Sequence, residues 1–325
     1  MIEDGMDAVF ITSPTYEGKC SDIREIAKVC HGRGIPLIVD AAHGAHFGIV
    51  SESGIPENAV SQGADLVIHS VHKTLPAMTQ TALLHVQGNL VDRKKLRRFL
   101  AIYQSSSPSY VLMSSIDLCM KYVEEQGAQF AEKLLEYREI LESATRDCRY
   151  LEVPGKKVIP DAAKVLIYVK NAAMTGQELY DILREEYKLQ LEMAGERYAL
   201  AIISGCDTRQ GIDRLAKAIK EIDAGISACK DDSSEDEMVK VISLPEAELS
   251  IQEAWDADKE SVDLCAAVGR ISGEFINLYP PGIPLIVPGE RFSEELVSDI
   301  TKYFKEGLRV QGLANGKEVI CVRQK

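Results

Sequence analysis

The sequence predicts an α/β protein, with a large domain built on a mainly parallel sheet, then a smaller α+β domain and a third, C-terminal unit. Three observations carry this expectation. Short, β-branched apolar runs are separated by a helical pattern near the start of the chain, which suits strands buried on both faces of a parallel sheet. Mixed strand and helix patterns follow a long helical stretch. An acidic, polar run then separates these from a last segment with its own strand signals.

The elements follow in order. Ala8–Thr12 is a short apolar run, and Ser21 is placed to cap a helix whose apolar residues Ile23, Ile26, Ala27 and Cys30 recur at helical spacing. Gly32 and Gly34 end it. Pro36–Val39 and Asp65–His69 read as the next strands, and Ala82–Val86 as a fourth after a short connection. From Leu90 to Cys148 the pattern is helical, broken at Ser105–Ser109, where proline and hydroxyl residues make a loop and then a cap. Strands are expected at Val158–Tyr168, Leu189–Met193 and Leu200–Ile203, with helices at Gly176–Tyr187 and Thr208–Ser227. The run Lys230–Glu237 has little to bury and reads as an exposed linker. The last unit contains Tyr279-Pro280-Pro281-Gly282-Ile283-Pro284 and ends in a strand at Glu318–Val322. The expected division is a large domain over 1–148, a small domain over 149–229, the acidic linker over 230–239 and a C-terminal domain over 240–325.

Composition narrows the function classes. The 37 basic and 50 acidic side chains leave a net charge of −13, which repels nucleic-acid backbones and anionic membranes, so neither is an expected partner. A negative field suits a cationic substrate, and it equally serves solubility. No apolar run reaches the length of a membrane span. The eight cysteines include no Cys-x-x-Cys pair and follow no signal peptide, which points to reduced thiols and a cytoplasmic protein.

All six histidines fall between positions 31 and 85, so the chemistry is expected there. Two strand ends in that interval place polar residues straight after apolar ones: Val39-Asp40-Ala41-Ala42-His43 and Ile68-His69-Ser70-Val71-His72-Lys73. In open α/β sheets ligands bind at the carboxyl ends of strands, so both groups should face one crevice. Lys73 alone reads as a solvated lysine, Asp40 as a helix cap and Ser70 as a turn residue. Together, a lysine able to form a Schiff base and a carboxylate able to pair with a pyridinium nitrogen are the groups that pyridoxal 5′-phosphate (PLP) requires of a protein. A metal-dependent hydrolase is the competing reading, because His43-x-x-His46 and His69-x-x-His72 are pairs of good ligands. Their spacing on strands would point each pair to opposite faces, and neither carries the Glu of the helical His-Glu-x-x-His motif, so no metal site is expected.

The segments Ser70-x-His72-Lys73 followed by Gln80-Thr81, and Asp40-Ala41-Ala42-His43-Gly44-Ala45-His46, resemble the cofactor-lysine and pyridine-nitrogen motifs of fold-type-I PLP decarboxylases. Thr12-Ser13-Pro14-Thr15-Tyr16, Ser106-Ser107-Pro108-Ser109-Tyr110 and the stretch from Tyr279 to Glu290 extend the resemblance to the ornithine/lysine/arginine decarboxylase family, through nearly the whole chain. The resemblance implies α-decarboxylation of a basic amino acid, with arginine favoured over lysine and ornithine, to an amine of polyamine metabolism. Lys73 would hold PLP covalently, Asp40 would keep the ring nitrogen protonated, Ala42 would pack under the ring, and His43 would approach the ring hydroxyl. Ser70 and His72 would contact the phosphate, and Ser107 would reach a phosphate in the neighbouring subunit of a homodimer with shared sites. Glu274 and Glu290 flank the Tyr-Pro-Pro-Gly segment and are candidates to neutralise a cationic substrate.

Members of this family carry a substantial segment ahead of the strand at Ala8–Thr12, including a phosphate-cradling turn and a side chain that stacks on the ring. The large domain is therefore expected to be incomplete at its N-terminus, and the 325-residue chain alone to bind PLP weakly and decarboxylate poorly, or to be an inactive, dimerising homologue.

Overall fold

The computed structural model describes residues 5–51, 54–226, 244–279, 282–305 and 307–323. The expected acidic linker, the last residues of the expected small domain and the Pro280-Pro281 pair lie outside them.

The first sheet forms as its apolar runs dictate. Strand β1 (Val9–Thr12) pairs in parallel with β2 (Leu37–Asp40), the two joined through helix α1 (Ile23–His31). Ile23, Ala27 and Cys30 on α1 are buried against Leu37, Val39 and Val67. Asp22 caps α1, its carboxylate accepting from Glu25 N at 3.1 Å. Ser21 was the expected cap, but the carboxylate one residue later takes the Glu25 amide and is the stronger acceptor. Gly34, at φ +71°, turns the chain out of the helix in the left-handed region that glycine tolerates.

Strand β3 (Leu66–Ser70) continues the parallel pairing, with Asp40 in register with Ile68. Asp65 ties this edge together: its carboxylate accepts from Leu37 N at 2.9 Å and lies 2.8 Å from His31 Nε2. A single helical turn, α2 (Val71–Thr74), follows directly, and the chain returns as β4 (Ala82–Val86). β4 pairs antiparallel, with Ser70 opposite Ala82. The connection is too short for the crossover that a parallel partner needs, so the sheet is parallel in three of its four strands. Covering on both faces is not what the described residues show. Phe10, on the face away from α1, is 62% exposed.

Helices α3 (Arg93–Tyr103) and α4 (Tyr110–Ala144) flank the predicted break, and Ser109 Oγ caps α4 by accepting from Leu112 N. The N-terminal half of α4 leaves Tyr110, Val111, Met113 and Leu118 exposed, whereas its C-terminal half buries Phe130, Leu134 and Leu141. Beyond it come β5 (Leu151–Glu152) and β6 (Lys164–Val169), then α5 (Gly176–Glu185), β7 (Met193–Ala194), β8 (Tyr198–Ile202) and α6 (Arg209–Gly225). The second sheet has the order β5-β6-β8-β7.

Two strand expectations shorten here. Residues 158–163 are not strand, because Pro160 offers no N–H and Asp161 folds its carboxylate back onto Ala163 N at 2.9 Å. The strand expected at Leu189–Met193 is reduced to Met193–Ala194, since Lys188 adopts φ +56° immediately before it. By the same turn α5 stops at Glu185 instead of Tyr187.

The remaining elements are α7 (Ile251–Asp256), β9 (Lys259–Asp263), β10 (Ile276–Leu278), β11 (Ile283–Ile286), α8 (Glu294–Lys305), β12 (Val310–Gln311) and β13 (Glu318–Val322). The predicted last strand is β13, antiparallel to β9. Ile276, Ile286, Phe292, Ile300 and Val319 form the core between these strands and α8.

The chain divides into two compact units. One is Met1–Tyr168 with Leu200–Gly225, and the other is Val169–Ala199 with Ile226–Lys325. Within the first, α4 and α6 pack Leu134, Leu141, Leu215 and Ile219 into one core. Gly205 permits a close approach there, since a Cβ at this position would sit 2.2 Å from Phe130 O and 2.7 Å from its Cα. Gly205→Ala is therefore expected to destabilise by about 1–3 kcal/mol or more through forced backbone movement, read as a lower urea midpoint at unchanged slope.

Candidate active site

The candidate site is built on the carboxyl ends of β2 and β3, where parallel register sets Asp40 across from Ile68. Asp40 is half-buried, and its Oδ1 accepts from Ala42 N at 3.0 Å, closing the turn that leads away from the strand. That turn delivers Ala42 and then His43. Lys73 stands on α2, one helical turn past the end of β3, and its Nζ lies 3.1 Å from His43 Nε2. The structure thus gathers Asp40, Ala42, His43, Ser70, His72 and Lys73 at adjacent strand ends.

His43 is the buried centre of this group. Tyr16 packs against its ring at 4.6 Å between centroids, tilted by 62°. Its Nδ1 lies 2.6 Å from Nζ of Lys164, a lysine with no solvent exposure. Burial first, then the charges of Lys164 and Lys73, push the imidazole down to about 3, so it is neutral across the ordinary pH range. The role implied by resemblance, an approach to the ring hydroxyl, meets an imidazole whose two nitrogens both already face amines.

A second buried layer supports the first. Asp161, fully buried at the turn before β6, sets Oδ1 2.9 Å from His46 Nε2. Burial alone would raise its carboxyl, but His46, Lys164 and the Ala163 amide override that and hold it below the usual carboxylate range. Burial and the nearby Asp161 charge push the Cys20 thiol up to about 12, which makes it inert.

The other expected residues vary. Ser70 is the cap residue of α2, but its hydroxyl makes no capping bond. His72 donates Nδ1–H to Thr81 O at 2.8 Å, which fixes its ring and leaves Nε2 for a ligand. Ser107 is exposed on the 105–109 loop, where its amide donates to Ser105 Oγ. Glu274 and Glu290 belong to the other compact unit, and Glu290 Oε2 accepts from Val287 N at 2.8 Å, a bond that closes its own turn.

Sequence reasoning missed Lys164, Asp161 and Tyr16. A signal was present for two of them: Asp161-Ala162-Ala163-Lys164 puts two opposite charges at the mouth of the apolar run Val165-Leu166-Ile167. The histidine pairs read earlier as possible metal ligands are split. His43 and His46 lie on a turn and not on a strand, His46 is engaged by Asp161, and His69 packs on His85 at 4.8 Å. Among the described residues, no three His, Cys, Asp or Glu side chains are grouped to hold a metal ion.

This architecture is the fold-type-I arrangement of the PLP-dependent transferases. Lysine decarboxylase A from Pseudomonas aeruginosa superimposes with a TM-score of 0.76 at 19% identity, over 99% of this chain and 59% of that one. An alanine–glyoxylate aminotransferase from Nostoc sp. does so with 0.51 at 15% identity, over 66% of this chain and 61% of that one. More narrowly, the chain belongs to the Orn/Lys/Arg decarboxylase family: residues 3–191 match the family's major domain and residues 233–312 its C-terminal domain. It is 33% identical over 315 residues to an arginine decarboxylase of Bacillus subtilis, covering 94% of this chain and 63% of that protein. The chain thus spans just under two thirds of the length of the curated relatives it matches.

Burying neutral imidazoles has a pH consequence. His43 at about 3 and His69 at about 4 both sit below the ordinary histidine value, so the unfolded chain takes up protons that the folded chain refuses. Their contribution is complete above the unfolded value of about 6.5 and is lost as pH falls toward the folded values. Between about pH 6 and 4, the unfolding free energy is expected to drop by up to about 1.4 kcal/mol per pH unit for each imidazole. Urea titrations at several pH values check this, and His69→Asn should flatten the slope by about half of that histidine pair's share.

Proposed function

We propose that this chain carries the PLP site of an α-decarboxylase that converts a basic amino acid, arginine before lysine or ornithine, into the corresponding amine and carbon dioxide. The observation that carries the reading is the pairing of Lys73 and Asp40 at the ends of neighbouring strands in a chain of this family. The donor set suits PLP. Lys73 offers a primary amine for the aldehyde carbon, and Asp40 a carboxylate for the protonated ring nitrogen. Ser70 offers a hydroxyl without a capping bond, and His72 a ring anchored through its other nitrogen.

PLP, when bound, supplies a sink for the electrons that a departing carboxylate leaves behind. The chain's own residues prepare for that. Asp40 holds the proton on the ring nitrogen by charge pairing, which a neutral amide cannot do. Ala42 lacks the bulk to push a ring away from the β2 end. His72 and Ser70 steady the phosphate, and Ser107 serves the phosphate of a second subunit in a homodimer. Arginine is preferred because the Bacillus subtilis relative bears that name, while lysine stays next because the Pseudomonas aeruginosa neighbour is a lysine decarboxylase. An amine product of this kind would enter polyamine metabolism in the cytoplasm.

Incubation with PLP, borohydride reduction and peptide mapping test the reading. The adduct is expected on Lys73, and Lys73→Ala should abolish it and lower carbon dioxide release on the order of a thousandfold or more. An adduct on another lysine refutes the assignment. Asp40→Asn should keep part of the cofactor and lose activity on the order of a hundredfold, with arginine, lysine and ornithine assayed side by side. Near wild-type turnover in that variant removes Asp40 from the role.

A further inference from the structure

The turn between Lys73 and β4 holds one residue against its steric preference. Thr81 N donates to Met78 O at 3.2 Å, which closes a four-residue turn with Gln80 in the third place. Gln80 has φ +79°, while Thr79 stays outside the left-handed region. That combination is a type II turn, whose third place calls for glycine or asparagine. Elsewhere in the described residues the left-handed positions are taken by glycines, by Asn171 and Asn315 and, once, by Lys188. A long side chain in this conformation is strained, and it persists only where the surroundings fix it.

The surroundings do fix it. Thr81 O accepts from Val71 N at 3.0 Å and from His72 Nδ1 at 2.8 Å. Thr81 Oγ1 donates to Met78 O at 2.7 Å, and Met78 N donates to Ser115 Oγ on α4 at 2.9 Å. Ser70 pairs with Ala82 across antiparallel strands, so the residues just past β3 and just before β4 stand at one end of the sheet. Gln80 therefore shares that end with Ser70, His72 and Lys73, and the next residue's carbonyl anchors the His72 ring. Gln80 is exposed, and among the described residues its carboxamide has no hydrogen-bond partner.

A turn without a task for this side chain would be better served by glycine. A carboxamide brings two N–H donors without charge, and the Ser70 hydroxyl and the His72 ring beside it are donors of the same use. The carboxylate of Asp40 stands further off, on β2, with β3 between. We infer that Gln80 is a further ligand-contacting residue of the site, its carboxamide N–H donating to an anionic oxygen, either of the cofactor's phosphate or of the substrate's α-carboxylate. The strained turn lets the Thr81 backbone serve His72 while the Gln80 side chain is left to the ligand. This rests on the reading of Lys73 and His72 as the cofactor site and adds a residue to it.

Gln80→Gly and Gln80→Glu test the inference in the full chain. Glycine relaxes the backbone, so the melting temperature should hold or rise while affinity for the anionic group falls; a residue serving the turn alone would show the first change without the second. Gln80→Glu nearly keeps the shape and opposes an anion, and should weaken binding about tenfold or more, the scale of one hydrogen bond to a charged group. Borohydride-trapped adduct on Lys73 is measured against the concentration of PLP and of pyridoxal, which lacks the phosphate. A loss with PLP and not with pyridoxal puts Gln80 at the phosphate. The PLP-loaded chain is also titrated spectrally with arginine, lysine and ornithine, each against its decarboxylated amine. A loss confined to the amino acids puts Gln80 at the carboxylate. Unchanged titrations in both variants, or losses that ignore the anionic group, overturn this inference alone if the adduct remains on Lys73. An adduct on another lysine overturns the reading of the site and this inference with it.

Discussion

A buried imidazole between two amines is the constraint around which the candidate site is arranged. His43 reaches that position because Asp40 ends β2 and bends the chain through the Ala42 amide. Lys73 reaches it because β3 runs parallel to β2 and passes at once into a helical turn. Lys164 reaches it because Pro160 and Asp161 delay the start of β6, so that a lysine and not an aliphatic residue heads the strand. Each of these local choices is cheap by itself. Their convergence places two lysines, two histidines and a carboxylate in a region where charge is costly unless each group answers another.

The same economy governs the rest of the unit. Asp65 accepts from a strand amide and faces His31, fastening α1 to the sheet edge remote from the site. Arg138, fully buried on α4, donates to the carbonyls of Lys164 and Pro154 and pairs with Glu142 at 2.7 Å. The backbone of Lys164 is therefore held from one side, and its Nζ meets His43 on the other. A buried, multiply bonded guanidinium defines a geometry more strictly than apolar packing does, because its five donors lie in one plane. The apolar core of α4 and α6 supplies the stabilisation, and these polar contacts define where β6 sits in the unit.

The two compact units differ in how they are held. The first relies on parallel pairing with helices on the sheet, a topology of distant contacts. The second contains antiparallel pairs, β9 with β13 and β10 with β11 and β12, closed over a core of Ile276, Ile286, Phe292 and Val319. Glu290 accepts there from the Val287 amide, which ties it into its own turn.

Much of the arrangement was legible in the amino-acid order. Apolar runs located β1 to β4 within a residue or two, and Gly32 and Gly34 marked the end of α1, because burial period and left-handed glycine are local properties. Asp40, His43, Ser70, His72 and Lys73 could be named because they follow strand ends directly. The Ser21 cap and the strands at Val158–Tyr168 and Leu189–Met193 went astray where a neighbouring side chain or a single left-handed residue outweighed propensity. What only the tertiary structure decided was the company that His43 keeps. Lys164 meets it across 121 positions of sequence, and Asp161 meets His46 across 115. No periodicity links residues so far apart. Only a closed core brings them within hydrogen-bond distance, and there the low dielectric turns ordinary lysines and carboxylates into mutually dependent groups.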